Sequence, residues 1–119
     1  LHGHNYSAHI TCIGNLDTVG RVIDFSVIKD KIGNWIDRNW DHGLILNVND
    51  TQTREAMESL LKAGLPIKLF YMDQNPTAES MCQFLFELSN TLLASYDIEV
   101  TKIVLYETDN CYATYEAHN

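Results

Sequence analysis

The chain begins Leu1-His2-Gly3-His4-Asn5-Tyr6, and the two imidazoles are the first residues in it able to do chemistry. Side chains of an extended segment alternate from face to face, so His2 and His4 fall on one side, and Gly3 between them adds no bulk. Two imidazoles on one face can bind one metal ion, and they can equally be two ordinary surface histidines. A catalytic zinc takes three protein ligands and keeps one position open. His9 has the wrong parity to be the third, and His118 lies at the C-terminus. A third ligand would therefore come from a neighbouring strand, including one before Leu1.

A second constellation is Asp41-His42, in Trp-Asp-His-Gly. A carboxylate beside an imidazole can orient the ring and raise its basicity, as in general-base pairs; the plain alternative is a solvated loop. Asp24, in Val-Ile-Asp-Phe-Ser, suits the cap of a following helix. Glu107 ends a strongly apolar run, Ile-Val-Leu-Tyr-Glu-Thr. There it is either a surface charge at a hairpin or a receptor for a planar donor edge such as an aminopyrimidinone, because a carboxylate accepts two parallel N–H bonds. Cys12 shares the parity of His4 but lies eight residues on, roughly 26 Å at about 3.3 Å per residue, too far to serve a metal held there in the same subunit. Cys82 and Cys111 read as small core residues. Glycine-rich phosphate loops and the Gly-x-Ser-x-Gly nucleophile turn are absent.

The elements that must position these groups follow from periodicity and turn chemistry. Alternation from Tyr6 to Ile13 predicts a strand, ending near Gly14, and Arg21–Phe25 reads as a second strand antiparallel to it. Ile28, Ile32, Trp35 and Ile36 recur at helical spacing, giving a helix over 26–39 with Ser26 at its cap. The stretch 40–47 reads as a loop or short extended piece. A helix over 53–64 closes on Gly64, and 66–72 is a short strand. Thr77 caps a helix that has Glu79 in its first turn and continues through Leu85, Leu88 and Leu92. Two strands, 98–108 and 111–117, join across Asp109-Asn110. Hairpins flanking helices indicate an α+β fold with an antiparallel sheet.

Composition narrows the function classes. The 119 residues are 45% hydrophobic, enough for one domain spanning 1–119. Eight Lys+Arg against 16 Asp+Glu give a formal net charge of −8, which argues against nucleic acid or an anionic membrane as the main partner while leaving room for an anionic small substrate. No apolar run approaches the roughly 20 residues of a membrane span, and there is no secretory leader pattern. Three cysteines without Cys-x-x-Cys spacing fit a reducing, cytoplasmic setting. The first residue, Leu1, falls inside a motif, so further residues, an N-terminal strand among them, are expected before it.

Five stretches taken in order, "LHGHNY", "VIDFSVIK", "WDHGLILN", "NPTAES" and "VLYETDNCYATY", resemble the family of 6-pyruvoyl-tetrahydropterin and 6-carboxytetrahydropterin synthases. The resemblance implies the tunnelling fold, a four-stranded antiparallel sheet with helices packed on one side, assembled as trimers that stack into hexamers. It implies Zn2+ as cofactor, held by His2, His4 and a third histidine upstream of Leu1, where the family's usual catalytic cysteine also lies. Asp41 and His42 would form the proton-relay pair. Glu107, with the backbone near Thr108, would bind the pterin ring, and Thr77 and Glu79 would serve at the helix start. The implied substrate is 7,8-dihydroneopterin triphosphate. The 6-carboxy branch loses triphosphate and acetaldehyde and feeds queuosine and other deazapurines; the 6-pyruvoyl branch keeps the three-carbon side chain. The wording of the motifs is more similar to the 6-carboxy branch. A non-catalytic pterin-binding member of the same fold is the reading from another class.

Overall fold

The structure is a computed structural model and describes residues 1–118. In chain order it contains β1 (Ser7–Gly14), α1 (Phe25–Ile28), a π-helical turn (Lys29–Gly33), α2 (Asn34–Asn39), β2 (Leu44–Asn47), α3 (Thr51–Lys62), β3 (Leu69–Met72), α4 (Ala78–Leu92), β4 (Ile98–Thr108) and β5 (Cys111–Glu116). These divide into two compact units, one formed by Leu1–Ile32 with the chain from Thr77 onward, the other by Gly33–Pro76.

In the first unit β4 is the central strand of an antiparallel sheet of order β1-β4-β5. Alternation puts Ala8, Ile10 and Cys12 of β1 opposite Leu105, Ile103 and Val100 of β4. Those three β4 residues are fully buried. Val100 and Ile103 are three residues apart and would face opposite ways in a regular strand. A bulge reconciles them: Thr11 pairs with Lys102 and Cys12 with Val100, so Thr101 is the extra residue. The N–H and C=O of Val100 are taken by the side-chain amide of Asn90, at 2.9 and 3.0 Å. On the covered face lies α4, whose buried residues Ala78, Met81, Cys82, Leu85 and Ser89 recur at helical spacing. Burying a side chain such as Met81 or Leu85 contributes about 1.5–3 kcal/mol. The Cys82 thiol donates to the carbonyl of Ile103 at 3.1 Å, and burial pushes its pKa up. Thr77 caps α4 as its sequence predicts, accepting from the Ser80 N–H at 3.1 Å.

The expected second strand over Arg21–Phe25 does not form, so the sheet has three strands among the described residues and not four. Two aspartates hold this segment in local turns. Asp17 Oδ1 accepts from the N–H groups of Val19 and Arg21, both at 2.9 Å, and Arg21 also reaches Asp17 Oδ2 and Asp24 Oδ2 at 3.2 and 2.8 Å. Such side-chain bonds compete with a ladder for the same N–H groups. Asp24, not Ser26, is the helix cap, accepting from the Ser26 N–H.

In the second unit β2 and β3 pair in parallel, Leu44 with Leu69 through Asn47 with Met72, and α3 is the connection between them. Asp50 caps α3 and Gly64, at φ +94°, ends it. Trp35, Trp40 and Phe70 stack edge to face, with centroids 5.4–5.9 Å apart, and Trp40, Leu46 and Met72 are buried. The stretch 40–47, which reads as a loop or short extended piece, contains the strand Leu44–Asn47, and its partner lies in the short strand expected over 66–72. The α+β class holds, with the antiparallel sheet and the helix on its face together in the first unit.

Candidate active site

The N-terminal histidines meet. His2 Nδ1 and His4 Nε2 are 2.8 Å apart and the rings lie edge to face with centroids at 4.8 Å. Regular strand structure begins only at Ser7, yet the extended chain before it keeps the shared side that alternation predicts. His4 also touches the ring of Tyr6, centroids 5.5 Å apart. Among the described residues no group of three His, Cys, Asp or Glu side chains is placed to hold a metal ion. His2 and His4 bring two ring nitrogens together, 2.8 Å apart, and so suit part of a metal's ligand set without completing one.

Glu107 sits at a second irregularity of the central strand. Tyr106 pairs with Tyr112 and Thr108 with Cys111, which leaves Glu107 bulged and half-buried. Its charge is felt by Tyr6. Burial foremost, and the Glu107 carboxylate second, raise the pKa of the Tyr6 phenol. Tyr6, which the sequence marks only as a strand residue, thus touches His4 and feels the Glu107 charge; its parity with His2 and His4 is the available signal. Thr108 is exposed and its hydroxyl is engaged in the hairpin turn, accepting from the N–H groups of Asn110 and Cys111 at 3.3 and 3.1 Å.

Asp41 and His42 belong to the second unit. His42 Nδ1 lies 3.0 Å from Asp41 Oδ2, and the imidazole is 91% exposed. With Nδ1–H donated to the carboxylate, Nε2 is left with a lone pair facing outward, the arrangement a proton acceptor needs. The backbone of His42 is left-handed, φ +55°, a conformation that non-glycine residues adopt at a cost of about 1–3 kcal/mol and that clusters at functional turns. The structure therefore unites His2 with His4 and Asp41 with His42, and places Tyr6 within the field of Glu107.

An α+β fold with a helix on the face of an antiparallel sheet is that of the tunnelling-fold pterin synthases. A sequence model of the family "6-pyruvoyl tetrahydropterin synthase" matches residues 1–118, and the chain belongs to that family. The 6-carboxy-5,6,7,8-tetrahydropterin synthases of Rickettsia conorii and Rickettsia bellii are each 41% identical to it over 114 residues, 94% of this chain and 80% of theirs. The crystal structure of 6-pyruvoyl tetrahydropterin synthase from Plasmodium vivax superposes with a TM-score of 0.71 at 17% identity, covering 99% of this chain and 82% of that one. A catalytic-residue mutant of the Plasmodium enzyme gives 0.70 at 18%. The chain is, with its relatives, an enzyme of the lyase class. No helix among the described residues is long and apolar enough to cross a membrane.

Proposed function

We propose that this chain is a zinc-dependent 6-carboxy-5,6,7,8-tetrahydropterin synthase, converting 7,8-dihydroneopterin triphosphate in the route to queuosine and related deazapurines, in the cytoplasm. The observation that carries the reading is the 41% identity over 94% of the chain to relatives of that name. His2 and His4 are the ligands this chain offers to zinc, alongside a third. When bound, zinc would supply Lewis-acid polarisation of the substrate's side-chain oxygens. His42 Nε2 takes and returns a proton while Asp41 holds Nδ1–H and balances the charge on the ring. Glu107 accepts the amino group and ring N–H of the pterin edge, with Tyr6 within the field of its charge.

The substrate is a small pterin triphosphate, and the enzyme works as a homo-oligomer, a trimer or hexamer. The open edge of β1 and the exposed apolar side chains of Ile13, Leu16, Val19 and Phe25 near it support that assembly. Incubating the purified protein with 7,8-dihydroneopterin triphosphate and analysing products by mass spectrometry tests the reading. A 6-carboxy pterin with acetaldehyde is expected; a product that keeps all three side-chain carbons would assign the 6-pyruvoyl reaction instead.

A further inference from the structure

Lys68 wraps the turn that carries Asp41 and His42. Its Nζ donates to the carbonyl of Asp41 at 2.6 Å and to the carbonyl of Asp37 at 2.8 Å. Its own carbonyl accepts from the N–H of Leu44 at 2.9 Å. Its aliphatic stem lies against Gly43, where an added Cβ would stand 3.1 Å from Lys68 Cδ and 3.1 Å from the Trp40 carbonyl. One half-buried residue thus holds the turn before, beside and after the imidazole.

The turn needs holding. Where α2 ends, the N–H groups of Trp40 and Asp41 both go to the carbonyl of Ile36, at 2.8 Å each. A continuing helix would bring the Asp41 N–H to the Asp37 carbonyl; here that carbonyl is left over, one of the orphan acceptors of a helix end. Lys68 satisfies it with the same ammonium that fixes the next free carbonyl, that of Asp41. A cation at a helix C-terminus is also the favourable sign against the helix dipole. His42 then follows in its left-handed backbone conformation, which aims the imidazole out while Asp41 Oδ2 stays within 3.0 Å of Nδ1. Without the clamp, the turn is still closed by the Gly43 N–H on the Trp40 carbonyl at 2.9 Å, but the Asp41 carbonyl loses its hold, and relaxation of the His42 φ toward ordinary values would turn the ring away from its carboxylate.

We propose that Lys68 is a positioning residue of the proton relay: it sets the backbone on which Asp41 and His42 are presented. This rests on the reading of Asp41-His42 as that relay. The test uses the full-length enzyme. Lys68→Met keeps the stem and removes the donors; Lys68→Gln is too short to reach both carbonyls and stands in if the methionine variant misfolds; Lys68→Arg restores donors. In the Met and Gln variants kcat is expected to fall roughly 10- to 100-fold, the scale of a misplaced catalytic group, with KM and zinc content within about twofold of the parent. Lys68→Arg should regain most of the loss. In a His42→Ala background, Lys68→Met should lower kcat by no more than about twofold further, because two residues acting as one unit are not additive. Ring 15N shifts of His42 should move from one held tautomer toward a mixture in Lys68→Met, a change that loss of stability alone does not produce. Full kcat in a folded Met or Gln variant, with His42→Ala inactive, overturns the assignment alone. So does an equal loss in both backgrounds. Full turnover in His42→Ala overturns the relay and this assignment with it.

Discussion

His2 Nδ1 lies 2.8 Å from His4 Nε2, close enough for the two rings to share one proton. Nitrogens so placed answer to the same neighbour, whether a proton or a cation. Zinc binding should therefore depend on both. Metal analysis of the full-length protein is expected to give about one zinc per chain, as for a three-histidine catalytic site, and His2→Ala and His4→Ala should each lose most of it. Full zinc content in both variants would remove them from the ligand set.

His42 should matter for turnover and leave the metal alone. Its ring is bound to Asp41 and belongs to the unit formed by Gly33–Pro76, whereas His2 and His4 belong to the other. His42→Ala is expected to keep zinc and the fold and to lower kcat by roughly 100-fold or more, the usual scale for a general acid–base group. Zinc assay and steady-state kinetics on one preparation decide it; loss of zinc would make His42 a ligand.

Glu107 should select the pterin ring. Glu107→Gln replaces one acceptor oxygen by a donor, so one of two parallel bonds becomes donor against donor. The expected loss is about 1.5–3 kcal/mol, the range for hydrogen bonds to a charged group. Titration calorimetry with a non-reactive pterin such as biopterin measures it, and equal affinity in the two proteins would leave Glu107 a surface charge at a hairpin.

The loop before α1 should carry an acid-sensitive part of the stability. The Arg21 backbone N–H, then that of Val19 and the Arg21 guanidinium, hold the Asp17 carboxyl low, and the Ser26 N–H does the same for Asp24. A carboxyl whose folded pKa lies below its unfolded value of about 3.9 stabilises the fold above that pH, and the contribution is lost as pH falls through the folded value. Asp17→Asn should lower Tm at pH 6, and the gap to the parent should be smaller at pH 3. A gap unchanged between the two pH values would show that the carboxylate charge is immaterial.

The helix and hairpin that build the first unit were legible because their determinants are local. Thr77 followed by apolar residues at helical spacing specifies α4, and Asp109-Asn110 between two alternating runs specifies β4 and β5. The segment 21–25 misled for an equally local reason: the apolar residues Val22, Ile23 and Phe25 suit a strand, but Asp17 binds the Arg21 N–H that a ladder would use, and Asp24 binds the Ser26 N–H and starts a helix. The parallel pairing of Leu44–Asn47 with Leu69–Met72 depends on a partner some 25 residues away, by the register of the pairs, and four-residue strands carry little pattern of their own. At the candidate site, residue type and spacing marked His2, His4, Asp41, His42 and Glu107 as candidates, and the roles proposed for them come from the family resemblance. Lys68 did not, because its role lies in reaching carbonyls of residues 27 and 31 positions earlier, and carbonyls leave no trace in a sequence.

The bulge at Thr101 makes β4 one residue longer than its pairing with β1 requires. Strike Thr101 from the chain and Val100 and Ile103 fall two apart, so the opposed pairs Ala8–Leu105, Ile10–Ile103 and Cys12–Val100 could all be kept by a regular strand. Most single-residue deletions in a central strand throw one half onto the wrong face. Thr101 is out of frame with β1 alone, since its carbonyl accepts from the Ala117 N–H at 2.8 Å, so shortening the chain there would keep the core face inward and give up that one bond.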